Sequence, residues 1–188
     1  MANNCFYQVQ VQGKEENVNE FIEIIQADYS YDTANKRIPD RHFWRVFEAC
    51  VDNEVVENGI KTALITGDCA WSVYSCMCDG AHTYQSSNPG RNGTTLKIES
   101  ERLHLAIEVY SEECGMGFME HFVFVNGEQL VDMCVDWGEF CTEDYENVEE
   151  MNENCYTNFT KEEFEANEFL HVGGIDWDFH DWTEQLFG

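Results

Sequence analysis

The chain has 188 residues, with 37 Asp and Glu against 10 Lys and Arg, a net charge of -27 and a pI near 4.2. So few bases exclude direct nucleic-acid binding, which needs Lys and Arg on phosphates, and disfavour an anionic membrane surface. Apolar residues make up 43% and aromatics 14%, enough to bury a core and too many for a disordered acidic tail.

In chain order, residues 3–12 alternate, with Cys5, Tyr7, Val9 and Val11 against Gln8, Gln10 and Gln12, the period of a half-buried strand. After Gly13, Val18, Phe21, Ile22 and Ile25 fall at helical spacing, with acids Glu15 and Glu16 in the first turn. Residues 28–41 read as a loop. Residues 42–51 read as a strand, with a short helix as the competing reading, and 60–67 as another strand. Asp68 is placed to cap a short helix over 69–78. The Gly, Ser, Asn and Pro of 79–94 predict a loop.

From 95 the pattern is that of a meander. Strands are expected over 102–110, 117–125 and 128–137, with a turn at 111–116 and a tight hairpin at Asn126-Gly127. Thr160 and Glu163 form a capping-box pattern that predicts a helix to about residue 170, broken by Gly173 and Gly174. An aromatic, acidic tail follows. Strand, helix, then hairpins predict an α+β fold, an antiparallel sheet with helices on one face. The expected division is a core over 1–137 and an acidic, aromatic-rich, helical or irregular extension over 138–188 packed on it.

The charge is uneven. Residues 1–107 carry 15 acids and nine bases, whereas 108–188 carry 22 acids and the single base Lys161. The opening MANNCFYQVQ has neither a basic start nor a long apolar stretch, so no secretory signal is expected, and no run of 18 apolar residues predicts a membrane span. The nine cysteines, an odd number, then read as free thiols in a reducing cytoplasm, most of them buried.

Sites of chemistry are few. Cys76, Cys78 and His82 give a C-x-C-x3-H corner tighter than common zinc spacing, and a helix from Asp68 would turn the two thiols apart. Asp176, Asp178, His180 and Asp181 lack the glycine and terminal Glu of a calcium loop. Neighbouring Glu112 and Glu113 disfavour a Cys114 thiolate. No cofactor or metal is expected. The basic cluster Lys36, Arg37, Arg41 and Arg45 is expected to pair with the chain's own acidic half.

Several motifs then occur in a telling order: Asn3, Cys5, Val9, Val11 and Gly13; a helix with Val18 and Phe21; Ala70-Trp71-Ser72; Glu108-Val109-Tyr110 with Glu112 and Glu113; and Gly117-Phe118 leading to Asn126-Gly127-Glu128. Over about residues 1–130 this order resembles the YubB-type ferredoxin-like domain of phages and plasmids, while residues 138–188 and the acidity depart from it. The resemblance implies a ferredoxin-like core and a mobile-element context, and no catalytic residues.

Small acidic proteins of such elements resemble, as a class, anti-restriction and anti-CRISPR inhibitors. The expectation is therefore a phage or mobile-element inhibitor of a host defence nuclease, binding a basic nucleic-acid cleft such as that of a CRISPR nuclease. The residues expected to bind it are Glu139, Glu143, Asp144, Glu146, Glu149, Glu150, Glu153, Asp176, Asp178 and Asp181, with Trp177 and Trp182 as anchors. Two alternatives stand: an enzyme acting on guide RNA, with acid-base groups from Asp176, Asp178 and His180 or from His42 and Arg45, and an acidic accessory protein without mimicry.

Overall fold

A computed structural model describes residues 3–27, 41–78, 92–155 and 157–188. Among these residues, nine strands and five α-helices follow one another as β1 (Asn4–Lys14), α1 (Glu15–Ile25), β2 (Arg41–His42), β3 (Val46–Glu57), β4 (Ile60–Ala70), β5 (Asn92–Gly93), α2 (Leu96–Leu103), β6 (Ala106–Glu113), β7 (Phe118–Val125), β8 (Glu128–Cys141), α3 (Val148–Cys155), α4 (Lys161–Ala166), β9 (Phe169–Gly173) and α5 (Thr183–Phe187). Seven strands make one sheet in the order β3-β4-β1-β6-β7-β8-β9, every neighbouring pair antiparallel. β2 and β5 form a separate parallel pair. The fold is α+β.

Alternation in β1 decides the two faces. Cys5, Tyr7, Val9 and Val11 are fully buried beneath Val18, Phe21, Ile24 and Ile25 of α1. Cross-strand partners continue that layer through Ala63 and Ile65 of β4 and Ile107 and Val109 of β6. Leu96 and Leu103 of α2 close it. Gly13 is tightly packed here, since a Cβ would lie 2.5 Å from Leu105 Cδ2 and force that side chain to shift.

Three elements differ from the sequence expectation. α2 stands at the start of the expected meander and overlaps its strand expected from 102: the Thr95 hydroxyl accepts from Ile98 N, and Leu96, Ser100 and Leu103 form one buried helical face. His104, with φ 51°, ends it, so β6 begins only at Ala106. Asp68 caps no helix; it pairs with Phe6 inside β4, whose ladder runs to Ala70, and a single π-turn follows at Tyr74–Cys78. α4 stops at Ala166, because 169–173 pair with the end of β8, which continues unexpectedly over 138–141.

The sheet's second face is covered by the C-terminal segment. Gln10 Nε2 donates to His180 O at 2.6 Å and Trp182 N donates to Gln12 Oε1 at 2.8 Å. Leu186 packs with Ala106, Val123 and Val125. Phe6 stacks on Trp177 at 5.7 Å between centroids, and Tyr110 stacks on the same indole at 5.9 Å. Among the described residues no helix is long and apolar enough to cross a membrane.

Candidate functional site

The acids singled out in the sequence are brought together over 139–153. Glu139 lies near the end of β8, Glu143 and Asp144 in the one-turn 3-10 helix Thr142–Asp144, Glu146 just beyond it, and Glu149, Glu150 and Glu153 on α3; all seven are exposed. The platform beneath them is fixed. Met151 is fully buried, Val148 is nearly so, and the Thr142 hydroxyl donates to Asn167 O at 2.9 Å. Asn147 Oδ1 accepts from Glu150 N at 2.9 Å, while Glu150 Oε2 accepts from Glu146 N at 2.7 Å. These bonds and the helix dipole suit carboxylates at the start of α3. Asn152 closes the chain beyond it, donating to Phe159 O and accepting from Thr157 Oγ1 and Phe159 N.

Bases do not offset this surface. Among the described residues, the only Lys or Arg ion pair made by an acid of 108–188 is Lys161 to Glu165, at 3.5 Å. Neither described member of the basic cluster, Arg41 or Arg45, forms the expected ion pair with the acidic half. Arg41 pairs with buried Glu99 at 2.9 Å, and Arg45 lies 4.6 and 5.1 Å from the ring centroids of Trp71 and Trp44. Arg102 holds the other Glu99 oxygen and Glu20, which outweighs the effect of its burial and raises its pKa. Lys36 and Arg37 lie outside the described residues. The sheet topology is the reason: α2 sets Glu99 beside Arg41, while 139–153 sits at the far end of the sheet from β3.

The tail residues are placed differently. Asp176, Asp178 and Asp181 are exposed, while Trp177 and Trp182 are half-buried against the chain's own sheet. Their anchor is Glu108, a fully buried carboxylate in the middle of β6. Its Oε1 lies 2.9 Å from His121 Nε2 and 3.0 Å from His180 Nδ1, and its Oε2 accepts from His180 N and Trp182 Nε1, both at 2.8 Å. Burial alone would raise the Glu108 carboxyl, but these donors outweigh it and hold its pKa at about 2. Tyr110 stacks on His121 at 4.0 Å and donates to Asp178 O at 2.9 Å. Its hydroxyl is pushed up to about 12, by burial first and then by Glu108. The Glu108 bond raises the His180 pKa, and the Thr183 backbone N–H lowers that of Asp181.

Sequence reasoning used Glu108 only as part of a motif and missed its role. The available signal was a lone carboxylate within the apolar run from Leu103 to Val109. A buried acid there requires donors from elsewhere in the chain.

Among the described residues, no three His, Cys, Asp or Glu side chains are placed to hold a metal ion. Cys76 is buried and its thiol donates to Ala70 O at 2.8 Å; His82 lies outside the described residues. The thiols of Cys5 and Cys76 bond to Cys69, and with burial they raise its pKa well above the ordinary value. The exposed Cys114 is raised by burial and then by Glu112 and Glu113. Raised thiol pKa values oppose nucleophilic chemistry. His180, expected in an acid-base group with Asp176 and Asp178, turns to Glu108 instead.

No family model matches the chain, and neither a curated protein nor a solved structure matches it.

Proposed function

We propose that this chain is a non-enzymatic protein that binds the cationic nucleic-acid cleft of a partner, and that the partner is a host defence nuclease of the CRISPR or restriction kind. One observation carries the reading: seven carboxylates over 139–153 are exposed on a packed platform, with no Lys or Arg ion pair among the described residues. Duplex DNA presents roughly one charge per 1.7 Å of axis to such a cleft. A dense carboxylate surface gains from the same potential, and salt weakens its association. Asp176, Asp178 and Asp181 add exposed charge on the tail, where Trp177 and Trp182 act as positioning side chains that hold it.

The ferredoxin-like reading of the core belongs here too. Its support is connectivity: α1 joins β1 to β3, α2 lies between β4 and β6, and these four strands lie in the order β3-β4-β1-β6. This order is consistent with the split βαβ arrangement named for ferredoxin-like folds, and it supports the reading. The YubB-type likeness, and with it the mobile-element setting, rests on the motif order alone.

Competition tests the function. Purified CRISPR and restriction nucleases are incubated with the protein before or after loading with duplex DNA. Protection of the nuclease by prior DNA loading is expected, and inhibition that ignores DNA loading contradicts occupation of the same cleft.

A further inference from the structure

The sheet ends on β3, and no strand lies along its outer side among the described residues. Two irregularities divide this strand, between Val46 and Glu48 and between Val51 and Asn53. Before the second, Gln26 Nε2 donates to Ala49 O at 3.0 Å and blunts the edge. After it, 53–57 pair with β4 in unbroken register and leave an edge that is open among the described residues. Val55 and Val56 there are 47% and 48% exposed. They oppose Thr62 and Lys61, so they point to opposite faces. Glu54 shares a face with Val56, and Glu57 shares one with Val55. Each face of this short edge therefore offers one aliphatic and one carboxylate.

We infer that 53–57 accepts an extended partner segment as an added antiparallel strand, and that this segment carries two aliphatic residues flanked by Lys or Arg. Strand addition supplies main-chain bonds, and the side-chain pattern supplies selection. An antiparallel Lys-Val-Val-Lys run sets Lys opposite Glu54 and Glu57 and Val opposite Val55 and Val56. Glu54 already holds Lys61 at 2.5 Å through one oxygen and keeps the other. The hollow beside Val55 is lined by Gln12, Glu57, Thr62, Asp181 and Thr183, which adds a carboxylate and no base. A second copy is the wrong occupant: it would bring a net charge of -27 and the same edge carboxylates against their equals. Bulges and charges on an edge are the devices that bar self-association. Here the charge has one sign, so it bars copies of this chain and admits a basic strand.

This inference goes beyond the carboxylates of 139–153, and its test is separate. Hydrogen exchange is followed in the full chain with a capped Thr-Lys-Val-Val-Lys-Thr peptide and with its counterpart carrying Glu for Lys. The basic peptide is expected to slow amides within 53–57 by about tenfold or more, and the acidic one to leave them unchanged. Val55→Lys with Val56→Lys is expected to remove the protection; both sites are half-exposed, so circular dichroism stays native. Glu54→Lys with Glu57→Lys is expected to reverse the preference between the peptides. Absent protection at 53–57, equal protection by both peptides, or protection confined to 139–153 overturns the inference. The last outcome leaves the acidic-surface reading in place.

Discussion

His180 Nδ1 lies 3.0 Å from Glu108 Oε1, across 72 positions of sequence, and this contact pins the acidic tail to the centre of the sheet. The same carboxylate takes the His180 backbone N–H and the Trp182 indole N–H, so one buried charge orders the segment that covers the sheet's second face. Replacing Glu108 by Gln removes that charge while keeping its shape. The loss expected is about 2–3 kcal/mol, as for hydrogen bonds to a charged group whose partners are left buried. Thermal unfolding followed at 280 nm should show a midpoint lower by roughly 5–10 °C for a domain of this size.

The pH dependence has a definite sign. The Glu108 carboxyl sits at about 2 in the folded chain, against an unfolded value of about 4.3. Its stabilisation is therefore fully present above about pH 4.3 and lost as pH falls through about 2. Tryptophan emission from the tail should shift over this window in the wild type, and the Glu108→Gln variant should lose that component. The His180 pKa is raised, so its smaller contribution is present below the unfolded imidazole value, about 6.5, and fades as pH rises through the folded one. His180→Ala should flatten that upper limb and leave most of the acid limb.

Glu99 is fully buried between Arg41 and Arg102. Glu99→Ala strands two guanidinium groups beside an emptied site. Arg41 and Arg102 are 41% and 30% exposed and Arg102 keeps Glu20, so water takes up part of their charge; the loss expected is about 1–3 kcal/mol, and urea denaturation should show a lower midpoint with an unchanged slope. Arg45→Ala, which removes a cation held by two indoles and, among the described residues, by no carboxylate, should cost about 1 kcal/mol.

The hairpin between β7 and β8 makes a sharper backbone prediction. Asn126 and Gly127 have φ of 49° and 83°, and a Cβ on Gly127 would lie 2.7 Å from Glu101 Cβ. Gly127→Ala should cost about 1–3 kcal/mol, read by chemical denaturation, whereas Asn126→Gly keeps the turn and loses only the 3.3 Å bond from Asn126 Nδ2 to Leu186 O, about 0.5–1 kcal/mol.

That hairpin was legible because the turn has local requirements that few dipeptides meet. So was β1, whose alternation sorts Cys5, Tyr7, Val9 and Val11 into the core. The Thr160 and Glu163 capping box was legible for the same local reason. What the sequence concealed depends on distant pairing. The β9 strand exists because β8 runs four residues past its expected end, and 169–173 then offers it a partner. α2 was hidden because Leu103, Leu105, Ile107 and Val109 alternate across the junction of a helix and a strand, and only the left-handed His104 separates them. The tail's docking was hidden because its anchor, Glu108, carries no periodic signal. The exposure of Glu139, Glu143, Asp144, Glu146, Glu149, Glu150 and Glu153 was expected from composition, while the burial of Trp177 and Trp182 against Phe6, Tyr110 and Glu108 was not.

Charge reversal tests the acidic surface most directly. Glu143, Asp144, Glu146, Glu149 and Glu150 are all changed to Lys, circular dichroism confirms the native fold, and nuclease cleavage of duplex DNA is measured with each protein at about 50 and 200 mM salt, the range over which phosphate contacts weaken steeply. Inhibition by the wild-type chain that declines with salt and vanishes in the five-lysine variant is the predicted result. Undiminished inhibition by that variant would contradict the proposal.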